Sequence, residues 1–120
     1  MEEIMVVNRP AIIIYCKEPD QDLLHEVCAG IEEEGVLYQV ESHEGDLDTL
    51  AYDAANESML GSGVGILGNR LAMQMQHVPK GKNVFELNAP SFRQCRNLGA
   101  NSARAIKKMP FKPVIGDEPL

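Results

Sequence analysis

Basic charge is scarce in this chain. Its 120 residues hold 11 Lys and Arg against 18 Asp and Glu, a formal charge of -7. Nucleic acid and anionic membranes both demand a basic footprint, so neither is expected as a main partner. Long apolar runs are also missing, which excludes a membrane-spanning helix of ordinary length. The first seven residues lack the cationic start and small-residue cleavage site of a secretory signal. Cysteine is limited to Cys16, Cys28 and Cys95, an odd number spread far apart, unlike a disulfide framework. Small buried hydrophobes in a reducing compartment account for them better. His25, His43 and His77 have no second ligand at metal spacing, and no cysteine has a nearby histidine in sequence that would suggest a nucleophile. Ser91 and Ser102 read as a helix cap and a packing residue. A cytoplasmic domain without self-contained catalysis is the expectation.

What is present is a regular alternation of strand and helix signals. Residues 11–16 are a short β-branched run suited to a strand covered on both faces. From Asp22 onward, Leu23, Leu24, Val27, Cys28 and Ile31 recur at helical spacing, and Gly35 supplies the left-handed stop. A second strand is predicted at residues 36–40. A second helix follows, capped by Asp46 or Asp48, burying Leu47, Leu50, Ala51 and Ala54. Its small residues predict a close approach to the sheet. Strands are predicted at 62–67, 71–76 and 84–87, joined by the turns at Gly68-Asn69 and 79–82. The last helix is predicted over 92–107, with a core face of Phe92, Cys95, Gly99, Ser102, Ala103 and Ile106.

This order, β-α-β-α-β-β-β-α, implies parallel first strands with right-handed crossovers. The two short turns make the fourth strand antiparallel. A three-layer α/β/α domain with a five-stranded mixed sheet ordered 2-1-3-4-5 satisfies these constraints. A single domain over 1–120 is expected, with a core at 11–111 and an extended proline-containing tail at 112–120.

Two features bear on function. Gly63, Gly65 and Gly68 match the glycine spacing of dinucleotide sites, but they lie inside a strand and its turn, where no helix opens. Close packing or a bulge suits them better. The second feature is Glu32-Glu33-Glu34, at the negative end of a helix dipole, where each exposed glutamate costs about 0.3–1 kcal/mol. Successive helical residues diverge by about 100°, so the three cannot converge on one ion. One of them could complete a magnesium shell only if another chain supplied the rest. Glu33 shares a face with Asp22, Glu26 and the small Ala29, while Arg93, Arg96, Asn97, Arg104 and Lys107 form a basic face on the last helix. Two polar faces of opposite sign favour a protein-interaction subunit, although an ordinary solvated face remains the alternative.

Two stretches carry a resemblance. Glu26-Val27-Cys28-Ala29-Gly30-Ile31-Glu32-Glu33-Glu34-Gly35 resembles the E-V-x-x-G-I-E-E-E-G segment of the small subunit of diol and glycerol dehydratase reactivating factors. Arg96-Asn97-Leu98-Gly99-Ala100-Asn101-Ser102-Ala103-Arg104, followed by Lys107, Pro110 and Phe111, resembles that family's R-N-x-G-x-N-A-A-R…K…P-F, with Ser102 in place of an alanine. The resemblance spans residues 11–111. It implies a three-layer fold similar to anticodon-binding domains. It also implies a non-catalytic subunit of a chaperone-like reactivase, whose large, actin/heat-shock-type partner binds ATP. In that family the small subunit takes the place of the dehydratase medium subunit on the dehydratase large subunit, and the damaged cobalamin is released. By the family pattern Glu33 reaches a Mg2+ held mainly by the large ATPase subunit, and the isolated chain binds no cofactor. Asp22, Glu26, Ala29, Glu33, Arg96, Asn97 and Arg104 are then the expected partner interface. The medium subunit of a dehydratase is the alternative within the superfamily, and a small nucleotide- or flavin-binding α/β protein is the alternative outside it.

Overall fold

A computed structural model describes residues 10–114. The elements run β1 (Ile12–Lys17), α1 (Gln21–Glu33), β2 (Tyr38–Ser42), α2 (Leu47–Glu57), β3 (Ser62–Leu67), β4 (Arg70–Met75), β5 (Phe85–Asn88) and α3 (Phe92–Lys107). The sheet order is β2-β1-β3-β4-β5, with β1 parallel to β2 and β3, and antiparallel pairing at β3/β4 and β4/β5. That is the predicted topology.

The period of two along each strand divides the core into two layers. Ile12, Ile14, Val64, Ile66, Leu71 and Met73 face α1 and α3, where they meet Leu23, Val27, Ile31, Cys95 and Leu98. Ile13 and Tyr15 face α2 and pack on Leu50 and Ala54. Each helix begins on a side-chain cap. Asp20 accepts from the amides of Asp22 and Leu23, Asp46 accepts from Thr49, and Ser91 forms a reciprocal capping box with Gln94.

The glycines of β3 are packing residues, as their context in the sequence suggested. A Cβ at Gly63 would lie 2.3 Å from the amide nitrogen of Ala55, and one at Gly65 2.6 Å from that of Ala51. Helix α2, with alanines at 51, 54 and 55, therefore rests with its backbone almost on the strand. Nothing is left of that glycine face for a pyrophosphate to approach.

Two expectations need correction. The second strand starts at Tyr38, two residues later than predicted. Gly35 ends α1 at φ 75° and the chain needs Val36 and Leu37 to turn into the register that pairs Ile12 with Tyr38. Phe92 is not on the core face of α3. It occupies the helix's first turn and is 54% exposed, whereas Leu98, omitted from the predicted face, is fully buried. Residues 1–9 and 115–120, which include the end of the predicted tail, lie outside the described residues.

Candidate interaction surface

Helices α1 and α3 touch backbone to backbone. A Cβ at Gly30 would lie 2.0 Å from the carbonyl oxygen of Arg96, and one at Gly99 would lie 2.1 Å from that of Val27. Both glycines belong to the two motifs that carry the resemblance. They act reciprocally, each removing the side chain that would wedge the partner helix away.

This proximity brings the acidic and basic faces together. Arg96 donates through Nε and Nη2 to Oε1 of Glu26, both at 3.0 Å, and through Nη1 to Oε2 of Glu33 at 2.9 Å. Arg104 Nε donates to Oε2 of Glu34 at 3.0 Å, and Lys107 Nζ reaches Oε1 of Glu34 at 3.2 Å and its carbonyl at 2.7 Å. The opposite charges read as two outward faces are thus ion-paired with one another within the chain. The apparent dipole penalty at the end of α1 is offset by cations that also sit favourably in the last turn of α3.

The three glutamates have separate fates, as their angular divergence required. Glu32 accepts from the Tyr38 hydroxyl at 2.9 Å. Glu34 is nearly enclosed, its side chain 9% exposed. Burial opposes its ionisation, but the bonds from Arg104 and Lys107 outweigh that and hold the carboxyl below its usual range. Glu33 is accessible, 47% exposed, as Glu32 is on the same turn. One of its oxygens bonds Arg96, and a surface pair of this kind is worth about 0–1 kcal/mol. Of the remaining predicted interface residues, Asp22 is exposed and Ala29 half-buried on α1.

A second function of the α3 motif is not visible in composition. Gln94, Asn97, Asn101 and Arg104 follow helical spacing and form a polar seam along which the chain returns antiparallel. Gln94 donates to the carbonyl of Val114, Asn97 to that of Pro113 and Arg104 to that of Pro110. Asn101, fully buried, donates to the carbonyl of Lys112 at 2.8 Å and accepts from its amide at 2.6 Å. The i, i+4 spacing of Asn97 and Asn101 is the one sequence signal of this clamp. It also explains why Val114 is buried in the main core.

The remaining candidate groups are quiescent. Burial, aided by the Glu26 and Asp20 carboxylates, pushes the Cys95 thiol up to about 12, and burial with Cys28 nearby pushes Cys16 up to about 11. Neither supplies a thiolate at neutral pH. All three cysteines are free. His43 stacks on Tyr15 with ring centroids 4.0 Å apart and shares a 2.9 Å hydrogen bond with Asp53, while the Tyr15 hydroxyl donates to Glu57. Asp53 and Glu57 lie one turn apart on α2 and His43 just before it, whereas Tyr15 joins them from β1 through the sheet. Among the described residues no group of three or more His, Cys, Asp or Glu could hold a metal ion, and no helix is long and apolar enough to cross a membrane.

An α/β domain whose two motif-bearing helices meet at reciprocal glycines now has a family. Residues 9–112 match the dehydratase medium subunit family, and the chain belongs to it. Within this family it is similar to small subunits of reactivating factors. It is 35% identical over 107 residues to the propanediol dehydratase-reactivating factor small subunit of Salmonella typhimurium, covering 88% of this chain and 92% of that one. It is 33% identical over 107 residues to the diol dehydratase-reactivating factor small subunit of Klebsiella michiganensis, covering 88% and 86% respectively. Among solved structures, a glycerol dehydratase reactivase matches with a TM-score of 0.83 at 26% identity, over 88% of this chain and 99% of that one. A diol dehydratase-reactivating factor complexed with ADP and Mg2+ matches with a TM-score of 0.82 at 31% identity, over 88% and 100%.

Proposed function

We propose that this chain is the small subunit of an ATP-dependent, chaperone-like factor that frees damaged cobalamin from an adenosylcobalamin-dependent diol or glycerol dehydratase. The observation that carries this reading is the identity to reactivating-factor small subunits, which extends over nearly the full length of both chains. The chain acts without catalysis of its own. It binds a large ATPase subunit, which holds the nucleotide, and it displaces or mimics the medium subunit on the dehydratase large subunit. The match to the medium subunit family supports that mimicry.

Glu33 fits a magnesium ion as one ligand and no more. It is half-exposed, and its hydrogen bond to Arg96 engages a single oxygen. Magnesium, when bound between the chains, would supply a point of positive charge that joins the carboxylates of both. Glu33 would release Arg96 to reach it, and Arg96 would keep its two bonds to Glu26. Glu34 cannot serve, because it is enclosed and doubly paired. Asp22, Glu26, Ala29, Arg96, Asn97 and Arg104 then frame the contact, of which Glu26, Arg96, Asn97 and Arg104 hold its shape through their internal bonds.

The test is co-expression with a large ATPase subunit of a dehydratase-reactivating factor, followed by purification in Mg2+. The two chains should co-purify, and Glu33→Ala should fold normally yet assemble at least about tenfold more weakly, the loss of a charged contact worth over 1 kcal/mol. Failure of the wild-type chain to co-purify would remove the proposed partner. Normal assembly of Glu33→Ala would remove the ligand assignment alone. A second reading, the medium subunit of a dehydratase, is favoured by the family description and predicts instead stable incorporation into a dehydratase with retained activity. A nucleotide- or flavin-binding role predicts saturable binding by the isolated chain, which the filled glycine face of β3 opposes.

A further inference from the structure

Strand β2 forms one edge of the sheet. Among the described residues β2 pairs with β1 alone, and residues Gln39 through Ser42 are exposed. The ladder bonds Ile12 N to Leu37 O and His43 N to Cys16 O show that odd-numbered residues here turn their backbone groups toward β1. The amides and carbonyls of Tyr38, Val40 and Ser42 therefore point outward, and among the described residues no strand pairs with this row. Val40 is 41% exposed and Leu37 52%.

A cleft flanks this edge on each face of the sheet. On one side, about 590 Å³ lies between α1 and β2, floored by Leu24, Cys28 and Tyr38 and bordered by Asp22 and His25. The Glu32 carboxylate stands beside it on the Tyr38 hydroxyl. On the other side, about 210 Å³ is lined by Ile13, Tyr15 and Met59, with Glu41 and Glu57 as its carboxylates. The first cleft pairs apolar side chains with Asp22, and the second is mainly polar with two carboxylates, which together suit long side chains with aliphatic stems and cationic heads. An added strand projects its side chains alternately to the two faces, one into each cleft. The elements around the edge, β1, α1, β2 and α2, contain one lysine and no arginine, and that lysine, Lys17, is already paired with Glu44 at 3.0 Å.

From these features we propose that the β2 edge is a docking site for an extended, lysine- or arginine-bearing segment of a partner protein, bound by strand addition. Backbone bonds to Tyr38, Val40 and Ser42 supply the affinity, and the two acidic clefts select cationic side chains. A second copy of this chain is disfavoured, since it would bring Glu41 and its acidic neighbours against their own likeness. The proposal stands apart from the function proposed above. It shares with that reading only Asp22, and it requires neither magnesium nor an ATPase.

The test uses the full chain, isotope-labelled, titrated with a capped heptapeptide of alternating lysine and valine at low salt. Shifts should centre on residues 38–42, with hydrogen exchange slowed at the Val40 and Ser42 amides. Val40→Pro removes one outward N–H without touching the β1 ladder, and should weaken binding about tenfold. Glu41→Lys, which leaves the backbone row intact, should weaken it several-fold, more so as salt falls. An unchanged amide spectrum elsewhere would show that both variants fold. Equal binding of a glutamate–valine peptide, shifts spread over the acidic surface and indifferent to Val40→Pro, or concentration-dependent self-pairing through the same amides would each overturn the proposal.

Discussion

Replacing Gly99 by alanine tests the helix crossing most directly. In an exposed helix interior this change is stabilising by about 0.8–1 kcal/mol, because glycine is the poorer helix former. Here the new Cβ would meet the Val27 carbonyl oxygen at 2.1 Å and its carbon at 2.9 Å. Carbon atoms in good contact lie about 3.5–4.0 Å apart, so α1 and α3 would have to separate by about 1 Å or more. The obstructing atoms are backbone and cannot rotate aside. Overpacking costs about 1–3 kcal/mol and occasionally more, and the rigid obstacle puts Gly99→Ala at the upper end. After subtracting the propensity gain, the net loss is about 2 kcal/mol. Urea unfolding followed by circular dichroism should show a midpoint lower by about 1 M, for a slope of about 2 kcal/mol/M. Arg93→Ala, on the exposed side of the same helix, should stay within about 0.5 kcal/mol. Because Gly30→Ala opens the same gap, the double variant should cost less than the sum of the two singles. A neutral or stabilising Gly99→Ala would refute the reciprocal-glycine crossing.

Glu34→Gln should lower stability at pH 7 by about 1–2 kcal/mol, since it leaves Arg104 and Lys107 without their shared carboxylate. The folded carboxyl is held below its unfolded value of 4.5, so its contribution is complete above that pH and fades as pH falls through the folded value. Urea titrations of both proteins should therefore converge at acid pH. Asn101→Ala leaves the amide and carbonyl of Lys112 without partners and should cost about 2 kcal/mol, with hydrogen exchange at the Lys112 amide accelerating before global unfolding. Ellman's reagent should modify Cys28 first in the native protein, with Cys16 and Cys95 reacting at the rate of unfolding.

Much of the fold was legible because its signals were periodic and punctuated. Strong runs such as residues 12–16, the small-residue face of α2 and the Ser91 cap place elements without tertiary help. Errors arose where tertiary register decides. The start of β2 depends on its parallel pairing with β1, and an exposed edge strand has little hydrophobic pattern to mark it. Phe92 misled because a helix's first turn need not reach the sheet. The acidic and basic helix faces were each read correctly as polar, but their mutual pairing depends on an approach that only Gly30 and Gly99 permit. Both glycines were on the page, Gly99 as a core residue. What was missing was the knowledge that two helices, 70 residues apart, were each other's neighbours.

That crossing also limits how a signal can travel through this domain. With two peptide backbones in contact and side chains locked on either flank, α1 and α3 form a single stiff plate. A partner that draws Glu33 away from Arg96 has no slack in the plate to exploit. The response is confined to the swing of one carboxylate arm, a rotamer change on the picosecond-to-nanosecond scale rather than a slow helix shift. A contact of the kind proposed at Glu33 would engage and release without remodelling the domain that carries it.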